Sequence, residues 1–193
     1  MAVYAGRLAP IPEGRISTRD ARTDASRVVE LLPFTIGSTT VRSADYAALM
    51  DAPPSASGNG PAHPVTWFAA VQWCNAASAE AGLSAAYSID GCGVTWNIES
   101  GGYRLPTEAE WEWACRAGTT TPTYGPLAEI AWTAEDRVEG PREVALKVPN
   151  TFGLYDTIGN VWEWCWDYAD TGRYGTRRHP GGRRIPRRPR RRR

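Results

Sequence analysis

The alternation of hydrophobic and polar residues predicts strands in two parts of the chain. Residues 28–37 (VVELLPFTIG) have the composition of a strand, and Pro33 marks a bend because proline cannot donate to a strand ladder. Residues 94–98 (VTWNI) alternate as a half-buried strand does. Residues 119–150 are rich in turn-forming residues and predict a long irregular region, of the kind that is functional or braced by its own contacts.

Helical periodicity predicts two helices in the first half of the chain. A short helix is expected over 44–50, with Ser43 as its N-cap. A longer helix is expected over 67–81, where apolar residues recur at helical spacing. Thr66 is placed to cap its first turn, and Gly82 supplies the residue type that commonly ends a helix.

A capping box predicts a third helix over 107–117. Thr107 and Glu110 have the spacing at which a threonine hydroxyl accepts the N3 amide while the glutamate returns to the cap amide. Glu108 and Glu112 stand on either side of Glu110, and the three resemble a set of catalytic acids. We interpret them instead as carboxylates of the first turns, which the helix dipole favours.

The densest cluster of aromatic residues lies at 153–167 (GLYDTIGNVWEWCWD). Successive side chains of an extended segment point to opposite faces. Tryptophans then occupy one face and two acids with a cysteine occupy the other: Trp162, Trp164 and Trp166 against Glu163, Cys165 and Asp167. The segment therefore predicts a core face and a small carboxylate cluster.

Composition indicates one globular α+β domain with an uneven distribution of charge. The 193 residues are 42% hydrophobic and include nine tryptophans, which excludes a disordered chain. Ten arginines lie in 177–193, which leaves 12 basic and 21 acidic residues elsewhere. The folded part is acidic, and we expect it to bind no nucleic acid. No apolar run is long enough to span a bilayer and no signal peptide is evident, so we expect a cytoplasmic protein without a membrane partner.

The cysteines and histidines form no recognisable catalytic or metal-binding pattern. Cys74, Cys92, Cys115 and Cys165 fall in no CxxC pair, and buried free thiols are the simplest interpretation. One disulfide or a metal-binding pair remain the alternatives. Two histidines, at 63 and 179, stand in a loop and in the arginine-rich tail, which does not favour a non-haem iron site.

Two long motifs resemble the formylglycine-generating enzyme family, also called the sulfatase-modifying-factor family. They are YRLPTEAEWEWACRAG at 103–118 and NTFGLYDTIGNVWEWCWD at 150–167. The resemblance implies an irregular C-type-lectin-like α+β fold with little regular secondary structure. We expect this domain to cover residues 1–176, with an arginine-, proline- and glycine-rich tail over 177–193 that is disordered.

The same resemblance implies an activity from which this sequence departs. Enzymes of the family use molecular oxygen and copper to convert a cysteine of a sulfatase motif into formylglycine. Their copper ligands are two cysteines that follow the Trp-rich motif, whereas no cysteine follows Cys165 here. We expect a family member without this oxidase activity, in which copper matters only if a complete C-terminal segment exists. The alternative is a non-enzymatic lectin-like module that binds a protein, a peptide or a small ligand.

The resemblance also implies a structural calcium ion. Asp156, Gly159, Val161 and Glu163 match the family's calcium-binding positions. Carboxylates and carbonyl oxygens are the donors that a hard cation prefers. The alternative is that Asp156 caps a turn and Glu163 pairs with an arginine such as Arg104.

Two origins remain open for the arginine-rich tail. Arginine, proline and glycine are all encoded by GC-rich codons, and the family pattern is lost abruptly near Thr176. This favours a shifted reading frame, and the alternative is a genuine basic tail that binds polyanions.

Overall fold

The computed structural model describes residues 7–19, 26–54, 57–168 and 189–192. Short strands and helices alternate along them, joined by long loops. The strands are β1 Leu8–Ile11, β2 Gly14–Arg19, β3 Ser26–Leu31, β4 Phe34–Gly37, β5 Tyr87–Asp90, β6 Gly93–Trp96, β7 Glu163–Tyr168 and β8 Pro189–Arg192. The helices are α1 Ser43–Met50, α2 Trp67–Glu80, α3 Glu108–Arg116 and α4 Leu127–Ile130, with a 3-10 turn at Ala134–Asp136. The predicted irregular α+β architecture is confirmed.

The strands form antiparallel pairs instead of one large sheet. Strand β1 pairs with β4, β2 with β3, β5 with β6, and β7 with β8. The predicted bend at Pro33 is confirmed, because it lies between β3 and β4. Strands β1 and β2 were not predicted, since only Ala9, Ile11 and Ile16 of their residues are buried and the apolar pattern is weak.

Helix α2 supplies the largest part of the core. Thr66 is its N-cap and accepts the Ala69 amide at 3.1 Å, as predicted. Its buried face meets residues of the β5–β6 hairpin in one cluster, made of Trp67, Val71, Trp73, Cys74, Ala77, Ala86, Tyr87 and Val94. Trp164 and Trp166 of β7 pack against this cluster and join the C-terminal motif to the helix.

The N-cap prediction for helix α1 is wrong by one residue. Ser43 is the first helical residue and is buried, and Arg42 occupies the cap position without a side-chain capping bond. The amide of Ser43 donates to Gly60 O at 2.8 Å, and Arg42 bonds Asp45 at 2.8 Å. A backbone carbonyl of a distant loop therefore accepts an amide at the start of the helix, which is the role that the sequence suggested for the Ser43 hydroxyl.

Helix α3 begins with the predicted capping box. Thr107 Oγ1 accepts the Glu110 amide at 3.2 Å, and Glu110 Oε2 accepts the Thr107 amide at 2.7 Å. Arg104 adds two bonds of 2.7 Å to the same carboxylate. Burial opposes ionisation of Glu110, but the bonds and charge of Arg104 together with the Thr107 amide outweigh it and lower its pKa. Glu112 bonds Arg116 one turn later, so both glutamates have structural partners.

Replacing Glu110 with glutamine is expected to destabilise the fold by about 1–3 kcal/mol at pH 7, because the half-buried Arg104 loses its charged partner. Because the pKa of Glu110 is lower in the folded state, its carboxylate stabilises the fold at pH values above the unfolded-state pKa. This stabilisation is lost as pH falls through the folded-state pKa. The difference between Glu110→Gln and the parent should therefore shrink in acid, as measured by urea unfolding at pH 7 and pH 3. Glu112→Gln is the matched control and should cost about 0.5 kcal/mol. An equal difference at both pH values would contradict this account.

Strand β7 confirms only part of the predicted tryptophan face. Trp164 and Trp166 pack on the core, and Trp166 lies 5.1 Å from the Tyr87 ring in a stacked arrangement. Trp162 is 43% exposed and lies just before the strand, so its assignment to the core was wrong. Strand β7 begins at Glu163, so its alternation of inward- and outward-facing side chains does not include Trp162.

The arginine-rich tail lies mostly outside the described residues. Its segment Pro189–Arg192 forms β8 and pairs with β7, in the register Glu163 to Arg192 and Trp164 to Arg191. These four residues pair with the edge of β7, and the rest of the tail, for which we expect disorder, lies outside the described residues. No helix among the described residues is both long and apolar enough to cross a membrane.

Candidate functional site

A tight turn leads into β7 and positions the residues predicted to bind calcium. Four residues between 153 and 160 adopt positive φ, namely Gly153, Asp156, Gly159 and Asn160 at +79°, +56°, +86° and +55°. Two of them are not glycine, and left-handed backbone is uncommon for other residues. The turn is held from outside by the loop that carries Trp132, whose carbonyl accepts the Asn160 amide at 3.0 Å.

Asp156 lies inside the turn with one carboxylate oxygen satisfied. The side chain is 2% exposed, and Oδ2 accepts the Ala145 amide at 2.8 Å. Oδ1 is buried and has no hydrogen-bond partner. Burial raises the pKa of this carboxyl, and the Ala145 amide opposes the rise only in part. An unpartnered buried carboxylate oxygen is unfavourable unless a cation or a proton joins it.

Glu163 is the second acid of the candidate site and begins β7. Its Oε2 accepts the indole N–H of Trp111 at 2.9 Å. Burial raises its pKa to about 7, and the negative charge of Asp156 adds to the rise. The structure therefore brings Asp156 and Glu163 close enough to repel each other. The alternative pairing of Glu163 with Arg104 is wrong, because Arg104 bonds Glu110.

The two other predicted ligands lie in the backbone between these acids. Gly159 forms a parallel bridge with Trp132, and a Cβ on it would meet Trp132 O at 2.2 Å. Val161 lines a cavity beside β7. Within the described ranges no group of three or more histidine, cysteine or acidic side chains gathers at one point. Two carboxylates with intervening carbonyl oxygens fit a hard cation such as calcium.

The side-chain contacts of the long loop at 119–150 were not predicted from the sequence. Lys147 Nζ lies 4.0 Å from the centre of the Trp132 ring and bonds Ala128 O at 2.6 Å. Arg142 also approaches this ring, at 5.6 Å. These contacts brace the region 119–150 internally, as its length suggested. No short motif marks them, because both cations are ordinary surface types in a turn-rich segment.

The four cysteines are all free thiols in different surroundings. Cys74 and Cys165 are buried, Cys115 is half-buried and Cys92 is exposed. Burial raises the pKa of Cys74 to about 12, and it raises the pKa of Cys165 and Cys115 as well. The expectation of buried free thiols is thus confirmed for two cysteines, whereas Cys92 lies in the β5–β6 turn.

A cavity of about 490 Å³ lies beside β7 and was not predicted. Its wall combines aromatic rings with a small number of polar groups, including Tyr46, Trp73, Trp111, Tyr155, Trp162 and Trp164. Arg104 and Glu110 also reach it, paired with each other, and Arg104 lies 4.8 Å from the centre of the Trp96 ring. The tryptophan density of the two motifs was the available signal, but nothing in their pattern distinguishes residues of the cavity wall from residues of the core.

The fold, the Trp-rich strand and the turn before it define a member of the family indicated by the motifs. The model of the sulfatase-modifying factor enzyme 1-like domain matches residues 5–192, and the chain belongs to that family. A solved structure of Treponema denticola variable protein 1 superposes with a TM-score of 0.77 at 29% identity, covering 86% of this chain and 75% of that one.

Two relatives differ in what their names say they do. The chaperone protein LppX of Paenibacillus barcinonensis is 29% identical over 179 residues, covering 72% of this chain and 64% of the relative. The formylglycine-generating enzyme of Streptomyces coelicolor is 31% identical over 186 residues, covering 72% and 59%. The chain thus spans about three fifths of the length of these relatives.

Proposed function

We propose that this chain is a ligand-binding member of the sulfatase-modifying-factor family that does not oxidise cysteine. The observation that carries the proposal is the state of its thiols. Copper binding by cysteine requires thiolates, and burial favours the protonated thiol. Cys74, Cys115 and Cys165 all have raised pKa values, and Cys92 stands in a separate exposed turn.

Cys115 and Cys165 are the pair that the two motifs could bring together. Cys115 Sγ donates to Thr157 O at 3.5 Å, and the nearby charges of Glu163 and Glu112 raise its pKa further. Cys165 also lies near acids, with Glu163 first among them. The negative charges of the nearby acids disfavour the thiolate form of both cysteines, so these thiols are poor candidates for a copper site.

An assay with a substrate peptide tests the absence of oxidase activity. The full chain is incubated with Cu(I), oxygen and a Cys-x-Pro-x-Arg peptide, and aldehyde is sought by mass spectrometry. We expect no aldehyde above the protein-free background. The Streptomyces coelicolor enzyme named above serves as positive control. Turnover that depends on this chain would overturn the proposal.

We infer that the same chain holds one structural calcium ion at the turn before β7. Asp156 and Glu163 would supply carboxylates, and Gly159 and Val161 would supply carbonyl oxygens. Support comes from the unpartnered Oδ1 of Asp156 and from the mutual repulsion of the two acids. A bound divalent cation would offset both, and it would fix the turn that leads into the cavity wall.

A protein or peptide is the second candidate ligand. One relative is named a chaperone, which is a protein-binding role. Trp162 is exposed and lines the cavity, and tryptophan is enriched where proteins bind each other.

A further inference from the structure

The hydrogen bonds of the β1–β4 ladder show which backbone groups of β4 point away from β1. Just beyond β4, the Ser38 amide donates to Arg7 O at 2.8 Å, so these two residues form a hydrogen-bonded pair that continues the register of the ladder. Hydrogen-bonded and non-hydrogen-bonded pairs alternate along an antiparallel ladder. Thr35 and Gly37 therefore belong to non-hydrogen-bonded pairs, and their N–H and C=O groups point away from β1.

A proline closes the outward edge of β1, whereas the outward edge of β4 is open. Pro10 lies opposite Thr35, so its nitrogen faces outward and has no hydrogen to donate. Strand β4 (Phe34–Gly37) contains no proline and no charged residue, which are common means of protecting an edge. Among the described residues β4 pairs with β1 alone, and no backbone bond reaches Thr35 or Gly37 from elsewhere.

The open edge of β4 borders the cavity beside β7. All four residues of Phe34–Gly37 line that cavity. A cavity that met only one face of the strand would be lined by alternate residues, so the consecutive set indicates that it meets the strand at its edge. Phe34 and Ile36 pack against the core on one face of the sheet, and Thr35 is exposed on the other.

We propose that an extended peptide binds in this cavity as a strand added to β4, an inference that rests on the proposed ligand-binding function. A peptide strand supplies N–H and C=O groups at the two-residue spacing of the open edge. Its side chains would be apolar beside Phe34 and Ile36 and polar beside Thr35, so its sequence alternates. Outside 177–193 the chain has 21 acidic and 12 basic residues, an excess that one calcium ion does not cancel, so basic ends on the peptide are favoured.

The experiment measures the fluorescence anisotropy of a labelled peptide, Lys-Thr-Val-Thr-Val-Thr-Lys with an amidated C-terminus, titrated with the full chain in the presence of calcium. Saturable binding is expected. The same peptide with N-methylated threonine and valine residues keeps its side chains but cannot donate from the backbone, so it should bind about tenfold more weakly or less. Equal affinity of the two peptides, or no saturable binding of the unmodified one, would overturn the inference.

Thr35→Pro tests the same hydrogen bond from the side of the protein. It removes the outward N–H of β4 without removing a bond of the β1–β4 ladder, as Pro10 does on the opposite strand. Peptide affinity should fall about tenfold, whereas the matched control Thr35→Val keeps the N–H and should stay within about twofold of the parent. Unchanged affinity in Thr35→Pro would contradict strand addition. If circular dichroism shows that this variant does not fold, the N-methylated peptide decides the question with the parent chain.

The inference and the proposed function can fail separately. N-acetyltryptophanamide is titrated in parallel as an apolar ligand that is too short to form a strand. Its binding without binding of the peptide would overturn strand addition and leave the ligand-binding function standing. Dimerisation of the peptide-free chain in sedimentation velocity, lost in Thr35→Pro, would overturn the peptide assignment in favour of a second copy at the β4 edge. Only aldehyde formation in the oxidase assay overturns the non-oxidising function.

Discussion

Replacing Gly159 with alanine is expected to destabilise the protein by more than about 3 kcal/mol, the largest effect of a single methyl group in the turn. Gly159 has φ of +86°, where an L side chain is strained. Its Cβ would lie 2.2 Å from Trp132 O and 3.2 Å from Trp132 N. These are backbone atoms, so the clash cannot be relieved by turning a side chain. The free energy of unfolding from urea titration is the measurement.

Gly153→Ala is the matched control for this prediction. Gly153 has a similar φ of +79°, but no atom lies within 4 Å of the position its Cβ would take. Its substitution should therefore cost only the backbone strain, about 1–2 kcal/mol. If the two variants were equally stable, the packing of the Trp132 loop against the turn would not be important for the fold.

Local motifs with complete hydrogen-bonding patterns could be predicted from the sequence. The Thr107–Glu110 capping box and the Thr66 cap need partners only three residues away, and both form as expected. The prediction that Ser43 is an N-cap failed because the Ser43 amide donates to the carbonyl of Gly60, 17 residues away in sequence. A helix signal is reliable where the competing partners are local, and it fails where a loop from another part of the fold supplies them.

Only the part of the candidate site that lies within one sequence motif could be predicted. Asp156 and Glu163 lie seven residues apart in one motif, and the structure places them within electrostatic reach. Ala145 and Trp132, which hold the turn, belong to a loop without regular pattern. Such contacts depend on how the chain returns to the turn, and hydrophobic periodicity carries no information about that path.

The turn that carries the proposed calcium site and the cavity share several residues at the start of β7. Val161 and Glu163 contribute to the candidate calcium site and also line the cavity. Thr157 follows Asp156 directly and also lines the cavity. A cation that orders the turn would therefore also fix one wall of the cavity, so calcium and a ligand of the cavity should favour each other's binding.

Metal-free protein should lose stability as pH rises from about 4.5 to about 7. The pKa of Glu163 is raised in the folded state to about 7, so over this interval the folded protein retains a proton that the unfolded chain releases. The shift corresponds to about 3 kcal/mol at most. Glu163→Gln should flatten this part of the profile, measured with chelator present. A parent profile as flat as that of the variant would contradict the burial of this acid.

Calcium should reverse that loss, and this is the second large effect. At a concentration 100-fold above Kd it would add about 2.7 kcal/mol and raise Tm by roughly 5–10 °C. Because the ion displaces the proton from Glu163, the increment should be larger at pH 8 than at pH 6. Asp156→Ala should abolish it, whereas Glu112→Gln should retain it because Glu112 bonds Arg116 on helix α3. Calorimetric scans with calcium and with chelator measure the increment, and an increment that survives in Asp156→Ala would place the ion elsewhere.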